Sequence, residues 1–442
     1  MISLKKVFVA AAVATFGFGL FAQNLPLTEI QSKTNKATQG IFGTDVDNFA
    51  DVNSWSEVQP ENFFGYFGMD KLDPEDPTSV DVYKLGFAKQ FGKIYWGTYF
   101  SGNFGTYDEV VTKTDDDTVT VTAKGGTIGD APTYTVTPNG KDTNVTVTNL
   151  FGFGNVGLKL DLFLNDAGSY SIKSKDYSKN VDKSNGGFLF TAGLNEYELG
   201  KFKTAPRAYV LYYLNPTDGS KTEETDIDTI DTRSDAFGLG AGADFFLSKT
   251  EKSEQIATAE LGFVTINPKD SKNKTKIVTF PISLGYKVTY NATDKLALGF
   301  KAGLDPVITS TTSKDAADKD VKNVKFEFDP EVAVALTYDT KKKVVLNAGV
   351  GFDVPKYEYS KETGDKYTST THSWKGDDAK ISFTSGFEVQ PVKNISFDCS
   401  YEALADLFGN DTSAELNNNT NFWNSVNKVL VHNIGFEVTV NF

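Results

Sequence analysis

Two histidines, one cysteine and two arginines set narrow limits on the chemistry open to this 442-residue chain. His372 stands beside Ser373 and Trp374, with Asp377 and Asp378 close by; His432 is followed by Asn433. Nucleophilic catalysis needs a base within reach of a hydroxyl or thiol and a third group to orient that base. No serine is placed to pair with His432, and the acids near His372 lie in a polar stretch where charge is ordinary. A closed zinc site needs four nitrogen or sulfur donors, and Cys399 with two histidines falls short of that. The acidic stretches 115–117, 223–228 and 377–378 lack the ligand spacing of a calcium loop. No catalytic residue, metal site or cofactor is therefore expected, and the chain reads as a non-enzyme.

The charged residues are more informative by spacing. Lys325, Glu327, Asp329 and Glu331 occupy alternate positions, with Val324 before them and Phe326, Phe328 and Pro330 between them. On a β-strand, alternate side chains share one face. Such a strand has one charged wall and one apolar wall. Lys287, Lys301, Asp353, Glu388, Asp398 and Glu437 take the polar parity of their own runs in the same way.

The runs that carry these residues repeat one design. Leu158, Leu160, Leu162 and Leu164 alternate with Lys159, Asp161 and Phe163, while Phe237, Leu239, Ala241 and Ala243 alternate with Gly238, Gly240 and Gly242. Residues 278–290 and 344–354 follow suit. The runs are longer than the five or six residues usual in soluble strands and suit a tilted bilayer crossing. Their connections alternate strictly. Short turns fall at 92, 152–155, 200–206, 249–254, 291–294, 340–342 and 391–392. Long polar connections fall at 71–81, 105–141, 166–186, 215–235, 268–276, 308–322, 355–379 and 403–427. Seven short and eight long connections join sixteen strands; the count becomes fourteen if 61–69 and a neighbour belong to the N-terminal segment. The long connection 105–141 carries Thr/Val-rich pieces at 118–122 and 133–137 that suit a small hairpin, and 402–407 suits a helical turn.

The ends of the chain have their own patterns. Residues 1–22 have the form of a secretory signal: Lys5 and Lys6, an uncharged run, then small Ala22. Residues 23–60 are polar and aperiodic, and form either a periplasmic extension or a plug anchored by Phe42, Phe49 and Trp55. The last run places Phe436, Val438, Val440 and Phe442 on one face and finishes on an aromatic residue. That pattern resembles the C-terminal strand of bacterial outer-membrane β-barrels, where it forms part of the signal read by the assembly machinery. The resemblance implies an all-β, antiparallel up-and-down transmembrane barrel over 61–442. It further implies delivery by periplasmic chaperones to the outer membrane of a diderm bacterium, contact with outer-membrane lipid, and possible homo-oligomers.

Composition agrees. Lys and Arg number 44 against 58 Asp and Glu, a net charge of −14, which argues against nucleic acid. The apolar content of 39% and mean hydropathy of −0.31 suit a chain that distributes apolar residues by alternation. Sixteen strands leave an aqueous channel. The leading expectation is a porin-like route for small hydrophilic solutes, with a charged lumen mildly favouring cations. The alternatives are a plugged barrel carrying hydrophobic substrates, as long-chain fatty-acid transporters do, or a barrel that presents its external loops to a surface partner.

Overall fold

In a computed structural model the described residues are 62–69, 82–106, 109–113, 119–123, 135–173, 178–194, 197–200, 202–215, 221–224, 230–231, 233–269, 275–314, 319–340, 343–353, 356–364, 368–375, 380–392, 395–406 and 431–441. Residues 1–22, expected as a secretory signal, the segment 23–60 with Phe42, Phe49 and Trp55, and Phe442 lie outside them.

Joining strand pieces that continue one another gives sixteen staves among the described residues. The first eight are β1 (Asn62–Met69), β2 (Val82–Phe91), β3 (Ile94–Thr106), β4 (Thr135–Phe153), β5 (Val156–Lys173), β6 (Ser178–Leu194, prolonged by Tyr197–Leu199), β7 (Phe202–Leu214) and β8 (Ser234–Lys249). Next come β9 (Ser253–Pro268), β10 (Lys276–Asn291), β11 (Leu296–Leu304 and Val307–Lys314) and β12 (Asp320–Phe328 and Pro330–Asp339). The circuit ends with β13 (Val344–Asp353 and Lys356–Thr363), β14 (Thr368–Lys375 and Lys380–Val392), β15 (Ile395–Asp406) and β16 (Val431–Asn441). Each pairs antiparallel with the next, and β1 pairs with β16, so the ladder runs round to its own beginning. Such a circuit leaves no edge strand through its continuous girth.

The terminal strand has partners on both sides. Val438 faces Gly65 of β1 and Phe397 of β15; Phe436 faces Phe67 and Cys399; Val440 faces Phe63 and Ile395. Short turns include Gly92, Gly154 and Gly200, all with positive φ near 60°, a left-handed conformation that glycine adopts without a Cβ clash.

Several sequence expectations need correction. The turn expected at 200–206 is much tighter, because β7 begins at Phe202. Among the described residues, several of the expected long connections contain ladder. Within the loops expected at 166–186, 308–322 and 355–379, residues 166–173 and 178–186 continue β5 and β6, 308–314 and 320–322 continue β11 and β12, and Lys356–Thr363 pairs with Thr368–Lys375. Polar side chains on both faces hid these extensions, since a strand above an apolar band needs no greasy wall. The external hairpin pairs Glu109–Lys113 with Val119–Ala123, while 135–137 belongs to β4. Glu402 lies inside β15, where a helical turn was expected, because the ladder to β14 continues to Asp406. His372 is likewise a strand residue, its Nδ1 3.0 Å from the Tyr357 hydroxyl and its ring 5.0 Å from Tyr359.

The outer wall is apolar. Leu164, Phe237, Leu261, Phe280, Leu298, Phe300, Val334, Leu346 and Phe383 are all exposed large hydrophobics, with Val334 reaching 58%. Tyr338 and Tyr290 stand at the short-turn end of this band. At the other end Phe328, Tyr357 and Trp374 cluster with ring centroids 5.1–5.9 Å apart. From Tyr338 to Phe328 the chain climbs roughly 33 Å along β12, or about 25 Å vertically at a tilt near 40°. That is the height of the lipid-facing band of outer-membrane barrels, and aromatic residues flank it at both rims as they do there.

Candidate functional site

The inner wall is where the chemistry lies. Register places Arg207, Tyr209 and Leu211 of β7 directly opposite Gly242, Gly240 and Gly238 of β8. The glycines form a trough. A Cβ at Gly240 would run into the ring and hydroxyl of Tyr209, and one at Gly262 would meet that hydroxyl at 2.7 Å. Tyr209 thus lies along the wall over β8 and β9, and is buried.

Arg207 uses the same trough to reach two acids. Its Nε donates to Glu260 Oε2 at 2.9 Å and its Nη1 to Asp244 Oδ2 at 3.1 Å. Thr258 Oγ1 donates to the other oxygen of Asp244 at 2.6 Å, and the Tyr209 hydroxyl bonds to Glu260. The network ties three staves together. A planar guanidinium suits this fork, where an ammonium is a point charge. In a chain with two arginines, one is spent here.

A second buried network spans β4 and β5. Asp161 accepts a 2.6 Å hydrogen bond from Thr148 Oγ1 and lies 3.6 Å from Lys159 Nζ. Thr148 and Asp161 have no solvent exposure and Lys159 has 3%.

The charged row expected along 325–331 is partly neutralised by ion pairs. Lys325 Nζ lies 2.9 Å from Glu327 and 3.1 Å from Glu358 on β13. Glu331 lies 2.6 Å from Lys301 on β11. Glu327 is buried, while Asp329 is exposed at the break in β12. Lys287 pairs in register with Lys301. Asp353 is the cross-strand partner of Glu331 on one side and Lys380 on the other. Glu388, Asp398 and Glu437 are successive partners across β14, β15 and β16, giving three acidic positions in one row.

The inner wall also has an apolar storey. Leu189, Tyr209, Leu211, Ala236, Val264, Ile266 and Ile277 form a buried cluster with Phe163 and Tyr213 against it. Phe163 and Tyr213 meet edge-to-face at 4.8 Å. Ala236, Ile266 and Ile277 lie near the long-connection ends of β8, β9 and β10. The interior therefore combines charge near the middle of the staves with apolar packing toward one end.

Sequence reading missed Arg207, Asp244 and Glu260 as a set. The one signal was the scarcity of arginine, and composition alone explains that equally well. Parity was uninformative, since Arg207, Tyr209 and Leu211 alternate with Ala208, Val210 and Tyr212, and neither set is clearly polar.

No family model matches the chain. No curated protein matches it either. Solved structures similar to it include CdiB from Acinetobacter baumannii, 8% identical with a TM-score of 0.43 over 86% of this chain and 60% of that one. A bacterial polysaccharide outer membrane secretin is 10% identical at 0.37, covering 86% and 97%. A Pseudomonas aeruginosa FadL homologue is 9% identical at 0.40, covering 92% and 97%. The chain spans 60% and 63% of the two CdiB chains it matches. These neighbours are outer-membrane β-barrels. At such identities and TM-scores the likeness is confined to general architecture.

Proposed function

We propose that the chain is an outer-membrane channel passing small hydrophilic solutes by diffusion, with a mild preference for cations and no chemical step. The observation that carries this reading is the two-faced wall: exposed Leu, Val and Phe outward, and Lys301–Glu331, Lys325–Glu327–Glu358 and Arg207–Asp244–Glu260 inward. A charge facing lipid at mid-bilayer costs about 2–4 kcal/mol, so this partition supports a bilayer outside and a polar path inside. The acidic row at Glu388, Asp398 and Glu437 supports the cation preference, because rings of like charge bias permeation. The pairing of Phe436, Val438 and Val440 with both β1 and β15 supports a ladder that returns to its first strand.

A second reading is favoured by the inward apolar cluster around Leu189, Leu211, Val264 and Ile266, which suits a hydrophobic substrate. Single-channel recording of the refolded protein, full length and lacking 24–60, separates the two. A steady cation-selective conductance in the full-length protein supports the diffusion channel, and clear anion selectivity refutes the lumen assignment. Conductance only after deletion makes 24–60 a plug and favours the second reading. Silence from both forms refutes a channel.

A further inference from the structure

The inner faces of β10 and β11 hold two lysines at one level. Lys287 and Lys301 are direct cross-strand partners, between outward Tyr286 and Val288 on one stave and outward Phe300 and Ala302 on the other. Like charges so opposed destabilise a sheet. Lys301 is offset by Glu331, whose Oε1 is 2.6 Å from its Nζ. Among the described residues Lys287 makes no ion pair or hydrogen bond. Its other cross-strand partner is Ile256, which offers no charge.

Space is left beside Lys287. Gly285 and Gly303 are also cross-strand partners, one inward position along from the lysines. A Cβ on Gly285 would meet only the Thr258 side chain, at 3.4 Å or more. A Cβ on Gly303 would meet the Glu331 carboxylate at 2.7 Å, because Glu331 folds across that glycine to reach Lys301. Lys287 and Lys301 are both part-exposed on this wall.

We propose that Lys287, with Lys301 beside it, is a carboxylate-binding point on the lumen wall, so that the solutes passed include small molecules bearing a carboxylate. The inference rests on the channel reading above and names a solute class within it. Cross-strand Cβ atoms lie about 4.5–5.5 Å apart, so two lysine side chains can converge on one carboxylate through charge-assisted hydrogen bonds. The cation preference is compatible with this. Summed lumen charge biases small ions over a Debye length, whereas recognition at Lys287 acts only in contact.

The test is osmotic swelling of proteoliposomes holding the full-length protein, in gluconate or in glucose, which are similar in size and differ in charge. Lys287→Gln lowers the gluconate-to-glucose rate ratio about threefold, the size of one solvent-accessible ion contact. Glu331→Gln frees Lys301 and raises the ratio, and it remains a usable test if the lysine variant does not fold. An unchanged ratio in either folded variant overturns the carboxylate point while glucose entry preserves the channel. Entry of neither solute into wild-type vesicles overturns both.

Discussion

Replacing Arg207 with methionine keeps most of the side chain's bulk and removes its charge. Asp244 and Glu260 are then left as diagonal neighbours on adjacent staves. At the 7–8 Å typical of such diagonals, their repulsion is about 2 kcal/mol at an effective dielectric near 20. Two charge-assisted hydrogen bonds, at 2.9 and 3.1 Å, are lost as well. Removing one partner of a buried ion pair costs about 3–5 kcal/mol. The carboxylates keep 23% and 16% of their side-chain surface, so water relieves part of the penalty. The low end, about 3 kcal/mol, is expected. Urea unfolding of the protein in lipid vesicles, followed by tryptophan fluorescence, measures it. Arg207→Met combined with Asp244→Asn and Glu260→Gln recovers most of the loss, because no uncompensated charge remains. Arg207→Lys falls between, since an ammonium cannot supply the guanidinium's fork. A loss below about 1 kcal/mol, the range of exposed pairs, or a triple variant no better than the single, refutes the network as a structural tie.

Two further outcomes test the frame around the site. Val334→Arg, on the outer face of β12 midway between Tyr338 and Phe328, is expected to destabilise the vesicle-inserted protein by about 2–4 kcal/mol, read from the same urea curves; a neutral effect would place that wall in water. Val438→Pro removes a backbone donor from the strand that pairs with both β1 and β15. At least one ladder bond is lost, and the fraction of folded protein recovered after refolding is expected to drop about tenfold, read as the heat-modifiable band on a gel. Unchanged recovery would mean that the circuit does not depend on this closure.

Much of the architecture was legible because it depends on local periodicity. A period of two assigns faces without knowledge of neighbours, so the alternation of Lys325, Glu327 and Glu331 with apolar residues put them on one wall of their run and Val334 on the other. The rhythm of short and long connections produced sixteen strands, including a return strand expected at 142–151, which the ladder prolongs to Thr135–Phe153 through a first half with little apolar pattern. What local pattern did not reach was strand length above the apolar band. Thr368–Lys375 is Thr-Ser-Thr-Thr-His-Ser-Trp-Lys, and only its ladder to Lys356–Thr363 identifies it as a strand.

Alternation and turn chemistry in the sequence alone thus determined the class of fold and its up-and-down strand order, because both depend on residues within a few positions. Which charges meet was decided only by tertiary register. Arg207 and Glu260 are 53 residues apart and touch because β7, β8 and β9 align Arg207 with Gly242 and Gly242 with Glu260. Lys287 faces Lys301, and Lys301 binds Glu331, by the same non-local alignment. A slip of one residue turns every side chain to the opposite face, so partnership belongs to the closed ladder and to no single stretch of chain.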